Sequence, residues 1–233
     1  MGKTFFITGI DTDIGKTVAT GLMGRFLRER GVDAITAKAV QTGHVGGMDA
    51  PSEDIAVHRK IMGLAPEFFK EDGLRLTCPE RFSYPSSPYL AARLEGRVVD
   101  TDNIERCMAQ CAAGHEVALV EGAGGIFVRL TEGMYTIDLI ERNAWPAIIV
   151  AGARLGAINH TLLTIHAAAS RGIKIAGVVF NRIGDPESEL ETDALCTARD
   201  ALRALAIDAP VARMPEISDM GHFKGVDFSE IFG

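Results

Sequence analysis

The sequence predicts an α/β protein with a mostly parallel central sheet and helices on both faces. Three observations carry that expectation. Apolar, β-branched runs alternate with helical patterns along all 233 residues, the arrangement that builds strand–helix–strand crossovers and a parallel sheet. The runs EVALVE, PAIIVA and IKIAGVVF are nearly continuous in Val, Ile and Ala, as in strands covered on both faces. No Pro/Gly/Ser-rich linker and no internal repeat divides the chain. Residues 1–233 are therefore expected to form one domain, large enough to bury about three quarters of its surface.

The elements follow in order. Residues 3–9 read as the first strand. A helix is expected over 15–30, with Val18, Leu22, Phe26 and Leu27 at helical spacing and Gly31 as its stop. AITAKAV (34–40) is a second strand, and SED opens a helix over about 54–62 with Ser52 as its N-cap. Residues 64–90 read as an irregular insertion over the sheet edge. Helices at 88–95 and 102–113, a strand at 116–121, a helix at 136–142 and a strand at 146–151 come next. A helix at 157–171, a strand at 173–180, a helix at 188–206 and a last strand at 210–214 complete the pattern. Right-handed crossovers gather the strand-to-helix loops along the carboxyl edge of such a sheet, where ligands bind.

Bulk properties exclude several classes. Composition is ordinary at 47% hydrophobic and 24% charged, and the net charge of −7 holds no block of like charges. Nucleic acid and acidic membrane surfaces are therefore not expected partners. No apolar run approaches the roughly 20 residues of a membrane span, and the N-terminus does not resemble a signal peptide. Cys107 and Cys111 lie four apart on one helix face and no C-x-x-C occurs. The thiols read as reduced, in a cytoplasmic protein.

The stretch GIDTDIGKT carries the first chemistry. The phosphate-cradling pattern G-x-x-x-x-G-K-S/T fits at Gly15, Lys16 and Thr17, but its first glycine stands one residue too far back, at Gly9, with Ile10 in its slot. A strand before and a helix after make the setting that of a P-loop. Backbone N–H groups from Asp13 and Ile14 through Gly15 to Val18 then point at an anion. Lys16 reaches the β/γ-phosphates and the Thr17 hydroxyl is a ligand for Mg²⁺. The longer loop adds Asp11 and Asp13, which should face something besides phosphate.

Other residues stand at predicted strand ends. Lys38 lies inside an apolar run, where an ammonium is costly unless paired, and either snorkels or aims into the site beside Thr42 and Gly43. Asp54 is a helix-cap residue or a metal ligand. Glu121 closes VALVE at the carboxyl edge, and Gly122, Gly124 and Gly125 after it let the backbone approach a ligand closely, with Gly122, Ala123 and Gly124 as candidate nucleotide contacts. Thr17, Asp54 and Glu121 together offer hard oxygens for Mg²⁺. The turn Gly156, Ala157, Ile158, Asn159 opens a helix whose N–H groups suit an anion other than the nucleotide. His160 after it reads as a surface or interface histidine without a visible partner. Asn181, before Arg182, reads as a turn residue or a contact to a nucleobase.

In this order, GIDTDIGKT, KAVQTG, SED, PSSPYLAA, VEGAGG, LGAINHTLLT and GVVFNR resemble the dethiobiotin synthetase family along nearly the whole chain. The extra loop residue matches the family's own G-x-D-T-x-x-G-K-T form. The resemblance implies a P-loop NTPase type of fold and ATP- and Mg²⁺-dependent carboxylation and ring closure of 7,8-diaminononanoate with CO₂. By the same likeness Lys16 and Lys38 are catalytic and Asp54 and Glu121 complete the metal site. Asn181, Arg182, Pro215 and Glu216 lie at the base, and Thr12 and Thr42 at the diamine. Gly156–Asn159 receives the substrate carboxylate from a neighbouring subunit, in a homodimer. Ala39 and Tyr89 depart from the family's usual proline and histidine. The alternative on the same fold is a dimeric nucleotide-switch ATPase of the partitioning type. It uses an early signature lysine, where this chain has Asp11, Thr12 and Asp13.

Overall fold

The computed structural model describes residues 2–46, 50–64, 75–181, 189–214 and 227–233. Its strands are β1 (Lys3–Gly9), β2 (Ala34–Lys38), β3 (Val40–Thr42), β4 (Glu80–Phe82), β5 (Val117–Gly125), β6 (Ala147–Gly152), β7 (Ile175–Asn181) and β8 (Val211–Arg213). Its helices are α1 (Lys16–Glu29), α2 (Glu53–Ile61), α3 (Pro88–Leu94), α4 (Thr101–Gly114), α5 (Thr136–Arg142), α6 (Ala157–Ser170), α7 (Glu189–Ala204) and α8 (Ser229–Phe232). Six strands pair in the order β2-β5-β1-β6-β7-β8, every pairing parallel. The continuous apolar runs explain this. All six residues of β6 are buried, so it has helices on both sides.

Polar side chains cap the starts of three helices, the first of them as the sequence predicts. Ser52 accepts a hydrogen bond from the Ile55 N–H at the head of α2. Ser87, ahead of Pro88, does the same for Leu90 in α3, and Asp100 for Asn103 in α4. Gly21 lets α1 and α2 approach. A Cβ there would lie 2.9 Å from Ile61 Cδ1 and 3.2 Å from the His58 Cα. That contact seats α2 beside the carboxyl ends of β2 and β5.

Three expectations are corrected. The strand expected over 34–40 breaks at Ala39, whose N–H donates to the Glu121 carbonyl at 2.9 Å. Beyond the break, β3 leaves the main sheet and pairs with β4, so the stretch expected to be irregular over 64–90 contains a strand, while residues 65–74 lie outside the described residues. Second, β5 does not end at Glu121 but continues through Gly125. Third, α8 stands where the sequence pattern predicts no element. Too short to show a helical period, it is held by packing, with the Phe232 ring edge-on to Phe5 at 5.3 Å and Phe228 edge-on to Phe26 at 5.8 Å.

Candidate active site

The loop between β1 and α1 turns on Gly15, at φ +95°, a left-handed conformation that glycine adopts without strain. The site has no room for a side chain. A Cβ on Gly15 would sit 2.3 Å from the Asn181 amide nitrogen. That amide donates to the Ile14 carbonyl at 2.9 Å, so the end of β7 braces the loop. Lys16 is buried, with its Nζ on the Asp11 carbonyl at 3.0 Å. Burial lowers its pKa, and the Lys38 charge adds to this, against Glu121, Asp54 and Asp13.

Register explains the next pair. Lys38 of β2 and Glu121 of β5 are direct partners across parallel strands, so their side chains leave the same face of the sheet. The Lys38 Nζ lies 2.8 Å from Glu121 Oε1 and 2.6 Å from Asp54 Oδ2 at the start of α2, and donates to the Gly122 carbonyl at 3.2 Å. The Thr17 hydroxyl donates to the same Glu121 oxygen at 3.1 Å. Thr17, Lys38, Asp54 and Glu121, on four separate elements, thus form one cluster beside the P-loop. Lys38 does not snorkel; it is 5% exposed. Burial alone would depress its pKa, but the Glu121 and Asp54 charges overcome this and raise it. Burial pushes Glu121 up, and Lys38 and His58 more than offset that, holding it at about 2.

The oxygens of this cluster suit a hard cation. Thr17 Oγ1 and Glu121 Oε1, 3.1 Å apart, are spaced like neighbouring corners of a Mg²⁺ octahedron with bonds of about 2.0–2.1 Å. The Lys38 ammonium already places one positive charge between Asp54 and Glu121. Among the described residues no group of three or more His, Cys, Asp or Glu side chains is placed to hold a metal ion.

A family model described as an AAA domain matches residues 3–222. An ATP-dependent dethiobiotin synthetase of Haemophilus influenzae is 45% identical over 190 residues, covering 82% of this chain and 95% of its own. Another, of Chlorobaculum tepidum, is 40% identical over 211 residues, 90% of this chain and 86% of its own. The chain belongs to the dethiobiotin synthetase family. Among solved structures, a ParA bound to nonspecific DNA superimposes with a TM-score of 0.58 at 14% identity, covering all of this chain and 92% of its own. The MinC:MinD complex of Aquifex aeolicus does so at 0.54 and 17%, covering 93% of this chain and 83% of that one. These likenesses describe the fold: a P-loop NTPase type of sheet shared with partitioning ATPases. Family membership decides between the synthetase and the nucleotide switch.

Within that family frame, the remaining predicted residues fall as follows. Thr12 donates its N–H to the Asp11 carboxylate at 2.8 Å, and Asp11 is drawn to Arg154 by a short side-chain hydrogen bond. Asp11 therefore faces Arg154 and, at 3.9 Å, His160, so His160 has the partner that the sequence did not reveal. Thr42 ends β3, against Phe82 of β4. Gly156 caps α6 at φ +86°. The Ala157 N–H is taken by the Arg154 carbonyl at 2.9 Å, which leaves Ile158 and Asn159 as the first-turn N–H groups without a preceding helical carbonyl. Gly122, Ala123 and Gly124 belong to β5 rather than to a loop. Arg182, Pro215 and Glu216 lie outside the described residues.

The two departures acquire physical meaning. Ala39 has an N–H that a proline would lack, and it uses it on Glu121. The Tyr89 ring lies beneath Arg129, 4.0 Å from the guanidinium carbon to the ring centre. Sequence reasoning missed His58, whose Nε2 lies 2.7 Å from Glu121 Oε2. The signal was its spacing, one turn after Asp54 on the same helix. A cavity of about 670 Å³ also opens at the amino ends of the strands, by Lys3, Trp145 and Lys174. It holds none of the predicted site residues.

Proposed function

We propose that this chain binds ATP with Mg²⁺ and converts 7,8-diaminononanoate and CO₂ into dethiobiotin, ADP and phosphate, in a homodimer whose subunits share each site. The observation that carries the reading is the convergence of Thr17, Lys38, Asp54 and Glu121 beside Lys16. One amine of the substrate takes up CO₂ as a carbamate, a carbamate oxygen attacks the γ-phosphorus with loss of ADP, and the second amine closes the ring and expels phosphate. Each intermediate is anionic, and no protein nucleophile is required. Lys16 leaves the Asp11 carbonyl for the β/γ-phosphates, and Lys38 offers its ammonium to the carbamate and the transferring phosphoryl group. When bound, Mg²⁺ neutralises charge on the phosphate oxygens, and Thr17, Asp54 and Glu121 are the residues that would hold it.

A cleft of about 300 Å³ lined by Asp11, Thr12, Phe127, His160 and Leu163 suits the diamine chain. Two of these walls, Leu163 (61% exposed) and Phe127 (59%), and Leu155 (91%) before α6 present apolar surface that a second subunit would cover. Ile158 and Asn159 of that subunit would take the substrate carboxylate through backbone N–H groups. The test is coupled phosphate release with diaminononanoate, bicarbonate, ATP and Mg²⁺, each omitted in turn. Release that persists without the diamine would overturn the reading.

A further inference from the structure

His58 is fully buried, and the reaction described above gives it no task. It lies one turn after Asp54 on α2, and both side chains face the ends of β2 and β5: Asp54 reaches Lys38, and His58 reaches Glu121. The two oxygens of Glu121 are thereby divided. Oε1 accepts from Lys38 Nζ at 2.8 Å and from the Thr17 hydroxyl at 3.1 Å. Oε2 faces His58 Nε2 at 2.7 Å. His58 Nδ1 has no hydrogen-bond partner among the described residues, so the ring's polar contact is made at Nε2 alone. A carboxylate can otherwise swing about its last torsion. A donor on one oxygen of a buried carboxylate stops that rotation and keeps the other aimed at its ligand.

We propose that His58 is a positioning residue that holds the Glu121 carboxylate by Oε2, so that Oε1 stays aimed at the Thr17 and Asp54 oxygens where Mg²⁺ binds. The assignment rests on the metal role given above to Thr17, Asp54 and Glu121. It concerns the Nε2 hydrogen rather than the bulk of the ring, and that difference makes it testable. A glutamine amide nitrogen reaches about as far as Nε2, an asparagine amide only about as far as Nδ1, and leucine supplies bulk with no donor.

The experiment measures the Mg²⁺ concentration that half-saturates binding of a fluorescent ATP analogue to the full chain, without turnover. His58→Leu and His58→Asn should raise it by about 10- to 100-fold, the usual loss when a partner of a metal ligand is removed. His58→Gln should stay within a few-fold of the parent. Binding of the analogue without metal, and thermal unfolding, should not separate Gln from Asn in the same way. Equal values for Gln and Asn, or a Leu variant like the parent, would overturn the proposal while leaving the metal site in place. A parent whose analogue binding ignores Mg²⁺ would instead overturn the metal reading, and the proposal with it. Should the Leu variant not fold, the Gln and Asn pair still decides. The unaltered protein gives a second reading through ¹⁵N spectra of the His58 ring. Hydrogen on Nε2 is expected, and a bare Nε2 beside Glu121 would also refute the assignment.

Discussion

At the scale of residues, Lys16 and Lys38 occupy different surroundings and should fail differently. Lys16 rests on a backbone carbonyl of its own loop, so Lys16→Ala should weaken nucleotide binding as well as turnover. Lys38 is the cation between two carboxylates, so Lys38→Ala should cost kcat about 100-fold or more with less effect on nucleotide affinity. It should also lower the Mg²⁺ needed for half-saturation, because Asp54 and Glu121 then face each other without a neutralising charge. Steady-state kinetics with a Mg²⁺ titration separates these effects. Similar, small losses in both variants would leave Lys38 a structural ion pair only. Glu121 bears on stability too. Its pKa falls from 4.5 in the unfolded chain to about 2 in the fold, so its contribution is complete above pH 4.5 and is lost as pH falls through about 2. Urea unfolding of Glu121→Gln should therefore show a flatter stability profile than the parent between those limits.

At the scale of elements, the P-loop is built from backbone, and its tolerance is set by neighbours distant in sequence. Gly15 combines φ +95° with the Asn181 amide standing where a Cβ would go. Gly15→Ala should cost about 1–3 kcal/mol in backbone strain and force the Asn181 amide off the Ile14 carbonyl. Thermal melting should report the first loss and nucleotide titration the second. Adding Asn181→Ala should restore space but not the backbone preference, so rescue should be partial. Full nucleotide affinity in Gly15→Ala would show that the loop does not need this conformation.

At the scale of the whole molecule, the proposal that two subunits share each site predicts complementation. A Lys16→Ala chain lacks the phosphate-binding half, and a Gly156→Phe chain lacks the carboxylate-binding half. Nothing lies within 4 Å of a Cβ placed at Gly156, so the bulk would project outward from the head of α6 rather than into the core, at the cost of strain from its φ of +86°. Random mixing makes half of the dimers mixed, each with one intact site, so activity should return to about one quarter of the parent value. Mixed dimers that are verified and inactive would place the whole site within one subunit.

What the sequence by itself determined is what depends on local pattern. The continuous apolar runs marked β5, β6 and β7, and the strand–loop–helix setting made a P-loop of GIDTDIGKT despite its extra residue, because burial on both faces and N–H orientation follow from neighbours in the chain. Thr17 was legible from the P-loop pattern, Asp54 and Glu121 from their places at a helix start and a strand end, and Lys38 because a charge in an apolar run asks for a partner. Which partner it takes was decided only by the tertiary structure. The register of β2 on β5 sets Lys38 beside Glu121 across 83 residues, and the close approach of α1 and α2 at Gly21 brings Asp54 and His58 to them. The same holds for Asp11 with Arg154 and His160, and for the break at Ala39. A side chain's charge is written in the sequence. The low-dielectric setting and the exact neighbour that fix its pKa and its role are supplied by the packing of segments that share no local signal.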